Sequence, residues 1–316
     1  MKFKKLMGIT MAIAIMATTM VGCAKTEVVI EKEKTKIRLG VMGSIDTVPL
    51  VIAKENGYFD EVGIDLDLQI FKAAKDRDAA LQAGALDGVL CDEVAISLYQ
   101  NAGMDMKITG TTNGFFTLVA GKDSGVNSIS DLIGKKVGIS ERTMMDYLAD
   151  NIATENGIKP SDITKVAVPA MPARLEALKN KQIDAAILPA PFNDTAVADG
   201  GKEIVKIYNK DIMISTTAFL QEIITASPEA IKDFYKAYDK AIYYINSNDI
   251  SKYEDIVIST VGYSEEMRGN INLPEFKNNY LPDEEKVQKV LDWSKTKGLL
   301  NKELKAKDVM SDVGVN

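Results

Sequence analysis

The chain has 316 residues, with 45 acidic against 38 basic side chains and a formal charge of −7. It contains no histidine and only two cysteines, which excludes Ser-His and Cys-His nucleophile pairs, histidine metal sites and a disulfide framework. An acidic chain without a basic stripe also speaks against nucleic acid as a partner.

Lys2, Lys4 and Lys5 open the chain, and residues 6–21 follow as an apolar run without Asp, Glu, Lys or Arg. At about 16 residues that run is short for a membrane span, which needs roughly 20. Residues 1–22 read as a targeting signal to be removed before the fold is considered. Met20-Val21-Gly22 leads into Cys23, and this resembles the lipobox of a bacterial lipoprotein, with Met20 where leucine is usual. The resemblance implies acylation of Cys23 and a membrane anchor on the extracytoplasmic face. The alternative is an ordinary secretory signal with Cys23 as a plain thiol. Residues 23–35 are charged and poor in aromatics, which suits a tether. Removing 22 residues leaves 294, with the charge at −10 once the three lysines are gone. That length exceeds what one core usually serves, so two lobes are expected.

From residue 35 strands and helices alternate. Strands are expected at 37–42, 66–71, 88–90 and 106–111, with helices at 48–55, 77–83 and 93–101. Strands separated by helices mean βαβ units and an α/β class. A second set follows Asn113-Gly114: strands at 116–120, 136–139, 166–168, 185–188 and 204–207. Its helices are expected at 128–133, 143–155 and 173–179. Ser128 and Asp131 suit a capping box. After about residue 216 the pattern is helical and nearly free of strands. Ser227-Pro228 starts a helix in which Phe234, Tyr238, Ala241 and Ile245 keep helical spacing. Further helices are expected at 251–260, 283–297 and 302–305. A helical tail packs back on the first lobe, giving lobe 1 as 36–116 plus 218–316 and lobe 2 as 117–217. The two crossings make a hinge.

Several blocks together resemble one family, the solute-binding proteins of importers for nitrate, sulfonates, taurine and thiamine-precursor pyrimidines. They are Pro49 to Phe59 (PLVIAKENGYF) followed by Gly63-Ile64, Ala80 to Gly88 (ALQAGALDG), and Ser130 to Gly138 (SDLIGKKVG). Leu175 to Ala186 with Pro191-Phe192 and Pro228 to Asn246 complete the set. The resemblance implies a two-lobe periplasmic-binding-protein fold of type II-like topology. Each lobe would be a mixed, mostly parallel sheet flanked by helices. It further implies a monomer that captures a small nitrogen- or sulfur-containing molecule without cofactor or catalysis. A membrane permease and its ATPase would be the partners. A ligand-sensing lipoprotein is the alternative. An enzyme is a further one, because a pyrimidine-forming enzyme resembles this family, but its chemistry leans on histidine.

Ligands of open α/β sheets sit beyond the carboxyl ends of the strands. Those ends nominate Ser44, Asp46, Thr47, Phe71, Lys72, Cys91, Asp92, Thr112, Asn113, Ser140, Arg142, Thr143, Pro191 and Asn193. Each has a plainer reading. Ser44, Asp46, Thr47, Ser140 and Thr143 suit helix caps, and Phe71 suits a core aromatic. Cys91 suits a small buried apolar residue, or a thiol facing the ligand. Asp92 suits a cap, and Thr112 and Asn113 suit a turn. The acids Asp46, Asp92, Glu93, Glu141 and Asp194 face only Lys72 and Arg142 at these tips. That balance leans toward a neutral or cationic, donor-rich ligand. The methionine pairs Met104/Met106 and Met144/Met145 lie on separate elements and suit core filling rather than a metal.

Overall fold

The computed structural model describes residues 34–208, 212 and 215–315. The signal segment, Cys23 and most of the tether lie outside them. The first four strands are β1 (Thr35–Met42), β2 (Ile64–Phe71), β3 (Gly88–Cys91) and β4 (Met106–Thr111). Between them run α1 (Val48–Glu55), α2 (Tyr58–Glu61), α3 (Ala74–Gln82) and α4 (Glu93–Asn101). The next five strands are β5 (Phe115–Ala120), β6 (Lys136–Ile139), β7 (Thr164–Ala167), β8 (Ala185–Leu188) and β9 (Lys202–Tyr208). These carry α5 (Met144–Glu155), α6 (Met171–Lys179) and α7 (Phe192–Ala198). The chain then returns through β10 (Thr216–Leu220) and ends in α8 (Gln221–Ala226), α9 (Pro228–Ser247), α10 (Glu254–Val261) and α11 (Glu284–Thr296).

Two five-stranded sheets result, in the orders β2-β1-β3-β10-β4 and β7-β6-β8-β5-β9. Each is mixed. In the first, β1 pairs parallel with β2 and β3, and β10 runs antiparallel between β3 and β4. In the second, β6 pairs parallel with β7 and β8, and β5 runs antiparallel between β8 and β9. The chain passes between the sheets twice, at residues 112–114 and again between β9 and β10. Each passage delivers the antiparallel strand of the sheet it enters.

β10 is one strand at the head of a tail expected to be nearly free of them. Its five residues run straight into α8, so the segment is too short to show a period of its own. Thr216 to Phe219 are nonetheless buried between two strands. Residues 302–305, expected as helix, form none; a single 3-10 turn at Ala306–Asp308 stands nearby. The third helix begins at Ala74, three residues before the expected start.

The two sheets repeat one construction. Gly40 in β1 leaves room for Leu86 and the Arg77 stem, and Gly138 in β6 leaves room for Ile183 and the Arg174 stem. A Cβ on either glycine would sit 2.5 Å from the Leu86 or Ile183 methyl, so a larger residue would have to displace that methyl. Arg77 Nη1 donates to the Leu90 carbonyl at 2.6 Å, and Arg174 Nη1 to the Ile187 carbonyl at 2.9 Å. Asp87 accepts the Arg38 amide at 2.8 Å, and Asp184 accepts the Lys136 amide at 2.8 Å. These carboxylates anchor the start of the third strand to the first in each half. The sequence blocks around residues 79–90 and 176–188 therefore have one structural cause.

The C-terminal region seals the first sheet. Phe234 of α9 stacks at 5.4 Å on both Phe59 and Phe219, tying the helix to α2 and β10. Tyr235 shares a 2.7 Å hydrogen bond with Thr109 of β4. The Ile108 amide donates to the Val309 carbonyl at 2.7 Å, and the Ser311 amide donates back to Ile108 at 2.8 Å. This extra strand-like pairing covers the open edge of β4. Among the described residues no helix is long and apolar enough to cross a membrane.

Candidate ligand site between the two sheets

Asp46 stands at the meeting point of three segments. It follows β1 in a 3-10 turn and is 8% exposed. Its carboxylate accepts from Ser44 Oγ, from Thr112 Oγ1 at 3.2 Å and from Ser215 Oγ. Thr112 lies in the first crossing and Ser215 in the second. One buried carboxylate thus holds both passages to the end of β1. Thr47 is wholly buried, and its hydroxyl donates to the Met42 carbonyl at 2.8 Å. Asn113 is fastened to the tail: its Nδ2 donates to Tyr238 at 3.3 Å and to the Lys277 carbonyl at 3.2 Å. Its Oδ1 accepts the Lys277 amide at 3.1 Å.

At the end of β2, Phe71 packs on the core around β3 and α4, while Lys72 is exposed. Cys91 lies in that same core, and burial pushes its thiol well above the usual range. A thiol held protonated among apolar neighbours is a poor nucleophile. Asp92 caps α4, accepting the Ala95 amide at 2.8 Å; burial raises its pKa and that amide opposes the rise. Glu93 follows, wholly buried, and neither of its carboxylate oxygens has a hydrogen-bond partner. In the sequence it reads only as one acid among several at a helix start. Burial of a single glutamate leaves no mark in one sequence.

The second sheet contributes two loops. Thr143 caps α5, accepting the Met145 amide at 3.3 Å and donating to the Ser140 carbonyl at 2.7 Å. Arg142 is exposed and adopts a left-handed φ of 60°, with its amide on Asp146 at 3.0 Å. After β8 come half-buried Pro191 and Asn193, which is 1% exposed. Asn193 Nδ2 donates to Asp194 at 2.9 Å, but its Oδ1 is buried without a partner.

The two halves touch directly on both flanks. On one flank Tyr263, just past α10, donates its hydroxyl to Asp194 at 3.0 Å. On the other, Trp293 of α11 packs edge-on against Tyr147 of α5 at 5.5 Å and donates Nε1 to Asp150 at 2.9 Å. Lys297 and Lys165 also donate to Asp150, at 2.8 and 2.7 Å. Burial would raise the Asp150 carboxyl, yet Lys165, Lys297 and Trp293 outweigh it and hold the pKa below its ordinary value. Val94 and Leu98 of α4 join the same apolar cluster as α5. None of these long-range pairs is visible in spacing, although Trp293 is the chain's single tryptophan.

Glu93, Asn193, Asp46 and the crossings therefore lie at the carboxyl ends of the strands of the two sheets. Exposed Lys72 and Arg142 are not drawn into that buried set. Among the described residues no cluster of three or more acidic or thiol side chains is placed to hold a metal ion. Met106, Met144 and Met145 are buried in the cores.

Comparison with known proteins bears on this arrangement. Residues 44–249 match the model of the family described as NMT1/THI5 like. A protein of Brucella abortus named as a binding protein is 30% identical over 196 residues, 60% of this chain and 60% of that one. The chain thus spans about 60% of the length of the curated relatives it matches. Among solved structures, the periplasmic aliphatic sulphonate binding protein SsuA of Escherichia coli superposes with a TM-score of 0.74. It is 16% identical, covering 87% of this chain and 97% of that one. The desulfurization enzyme DSZB superposes with a TM-score of 0.62 at 13% identity, covering 88% and 96%. At such identities the likeness establishes the periplasmic-binding-protein fold alone.

Proposed function

This chain belongs to the NMT1/THI5-like family, and from that premise we propose that it is an extracytoplasmic solute-binding protein. The observation that carries the reading is the paired architecture: two sheets of the same strand order, with the chain crossing between them twice and both crossings held by Asp46. Such a design lets two halves close over a small molecule by small rotations at the crossings. The ligand is held by enclosure and a few polar groups. Ser44, Asp46, Thr47, Thr112, Ser140, Arg142, Thr143, Pro191 and Asn193 border the proposed site. Phe71, Cys91, Asp92 and Asn113 support it from behind, by packing, capping or fastening the tail, and exposed Lys72 follows the end of β2. The lobes proposed are 36–116 with 218–316, and 117–217.

The partners proposed are a permease and its ATPase, reached by a monomer tethered through a lipid on Cys23. An enzyme of this fold would require a reactive group at the strand ends. The absence of histidine from the chain and the buried, protonated Cys91 argue against nucleophilic catalysis there. The test is thermal-shift screening of the purified protein, followed by small-angle scattering with each hit. A binder should raise the melting temperature by mass action and reduce the radius of gyration. Steady conversion of a hit into product would overturn the reading.

A further inference from the structure

Glu93 is a buried carboxylate that the fold leaves without an ion-pair partner. It is the first residue of α4, at the carboxyl end of β3, and its side chain is 0% exposed. Both oxygens lack a hydrogen-bond partner. A buried carboxylate is tolerated only when neutral or when a counter-charge reaches it. Among the described residues, no ion pair to Glu93 is formed from a neighbouring element. From α5 the nearest titratable group is the Tyr147 hydroxyl, whose own pKa is raised by burial and by Glu93. On its own helix Asp92 adds further negative charge. From α11, Lys289, Lys295 and Lys297 are held by Glu285, Glu303 and Asp150. From β4, Lys107 pairs with Asp105, and from α3, Arg77 is held by Asp78 and the Leu90 carbonyl.

A second observation points the same way. Asn193, in the loop after β8 of the other sheet, has its amide nitrogen on Asp194 and leaves an unpartnered buried acceptor, Oδ1. Each sheet thus offers an orphan acceptor from a strand-end loop. The buried cation of the second sheet, Arg174, is already committed to the carbonyls of Val168, Pro169 and Ile187. A buried carboxylate and a buried amide oxygen, both unpartnered and with no free buried cation among the described residues, favour a donor-rich cation over an anion.

We propose that the molecule held between the two sheets is an organic cation, or a nitrogen base bound as its protonated form, and that Glu93 pairs with its charged nitrogen. The proposal rests on the solute-binding reading above and names the class of solute. Asn193 Oδ1 takes a second N–H of the same ligand.

Burial pushes Glu93 up to about 8. The ligand-free protein at neutral pH therefore carries a proton there, and a cation displaces it on binding. The sign for stability follows. The folded state holds a proton that the unfolded chain gives up near pH 4.3, so ligand-free stability falls as pH rises from about 4.5 to 8.

The experiment uses the purified full chain. Choline, agmatine, thiamine and 4-aminopyrimidine form one panel, and methanesulfonate, benzenesulfonate and nitrate the other. The expected result is that a member of the first panel raises the melting temperature and compacts the protein in scattering. Its calorimetric heat should vary with the ionisation enthalpy of the buffer, reporting proton release. Glu93→Gln should weaken that binding at least tenfold. The same variant without ligand should melt no lower than wild type at pH 8, because it removes a charge that had no partner. Compaction by the anions but not the cations overturns this inference and leaves the solute-binding reading standing. No shift or compaction with either panel overturns both. Unchanged cation affinity in Glu93→Gln, or a lower melting temperature without ligand, removes Glu93 from the role.

Discussion

Asp46 shows how one side chain can govern a joint. Three hydroxyls, from Ser44, Thr112 and Ser215, donate to a single buried carboxylate. An alanine there would leave those hydroxyls without their acceptor, and Asp46→Ala should cost about 2 kcal/mol. The measurement is chemical unfolding, in which the midpoint should fall with the slope unchanged. Asp46→Asn keeps an acceptor and should recover part of the loss. In the sequence Asp46 reads equally as a helix cap and as a ligand contact. Its partners lie 66 and 169 positions away, and separations of that size leave no local signature. Asp92 and Thr143 are different. Their caps are formed within three residues, and the sequence shows them plainly.

At the scale of elements, most strands and helices follow from apolar periodicity, because each half is a run of local βαβ units. β10 does not, since its assignment depends on two strands more than a hundred positions earlier. The repeated arginine-glycine construction is not read from the sequence; a guanidinium reaching a strand carbonyl over a bare Cα appears only in the folded chain. Helix α11 gives a sharp test of how elements from opposite halves communicate. It packs with α4 and clasps α5 through Trp293 and Lys297. Trp293→Phe keeps most of the ring contact and removes the donor to Asp150. Any interaction that holds the halves together adds to the apparent affinity for a ligand enclosed by them. Trp293→Phe should therefore lower ligand affinity about five- to tenfold, the equivalent of about 1–1.4 kcal/mol for one lost hydrogen bond. Calorimetry measures it. An unchanged melting temperature of the ligand-free protein would show that the effect lies in closure and not in folding.

For the whole molecule, the order of the strands fixes an order of events. The second sheet, residues 115–208, is built from one continuous stretch of chain. The first is not. Its β4 cannot join β3 until β10 arrives between them, and β10 is made only after the entire second sheet. The half that emerges first is therefore the half that is completed last. During synthesis, β3 and β4 wait with unpaired edges while their neighbour assembles. Pulse-labelled hydrogen exchange during refolding should show amides of β6 and β8 protected before those of β3 and β4. Simultaneous protection would mean that both sheets form in one step. A chain still being synthesised thus carries an unfinished first sheet throughout the stretch between β4 and β10, and its open strand edges are what a chaperone would have to shield.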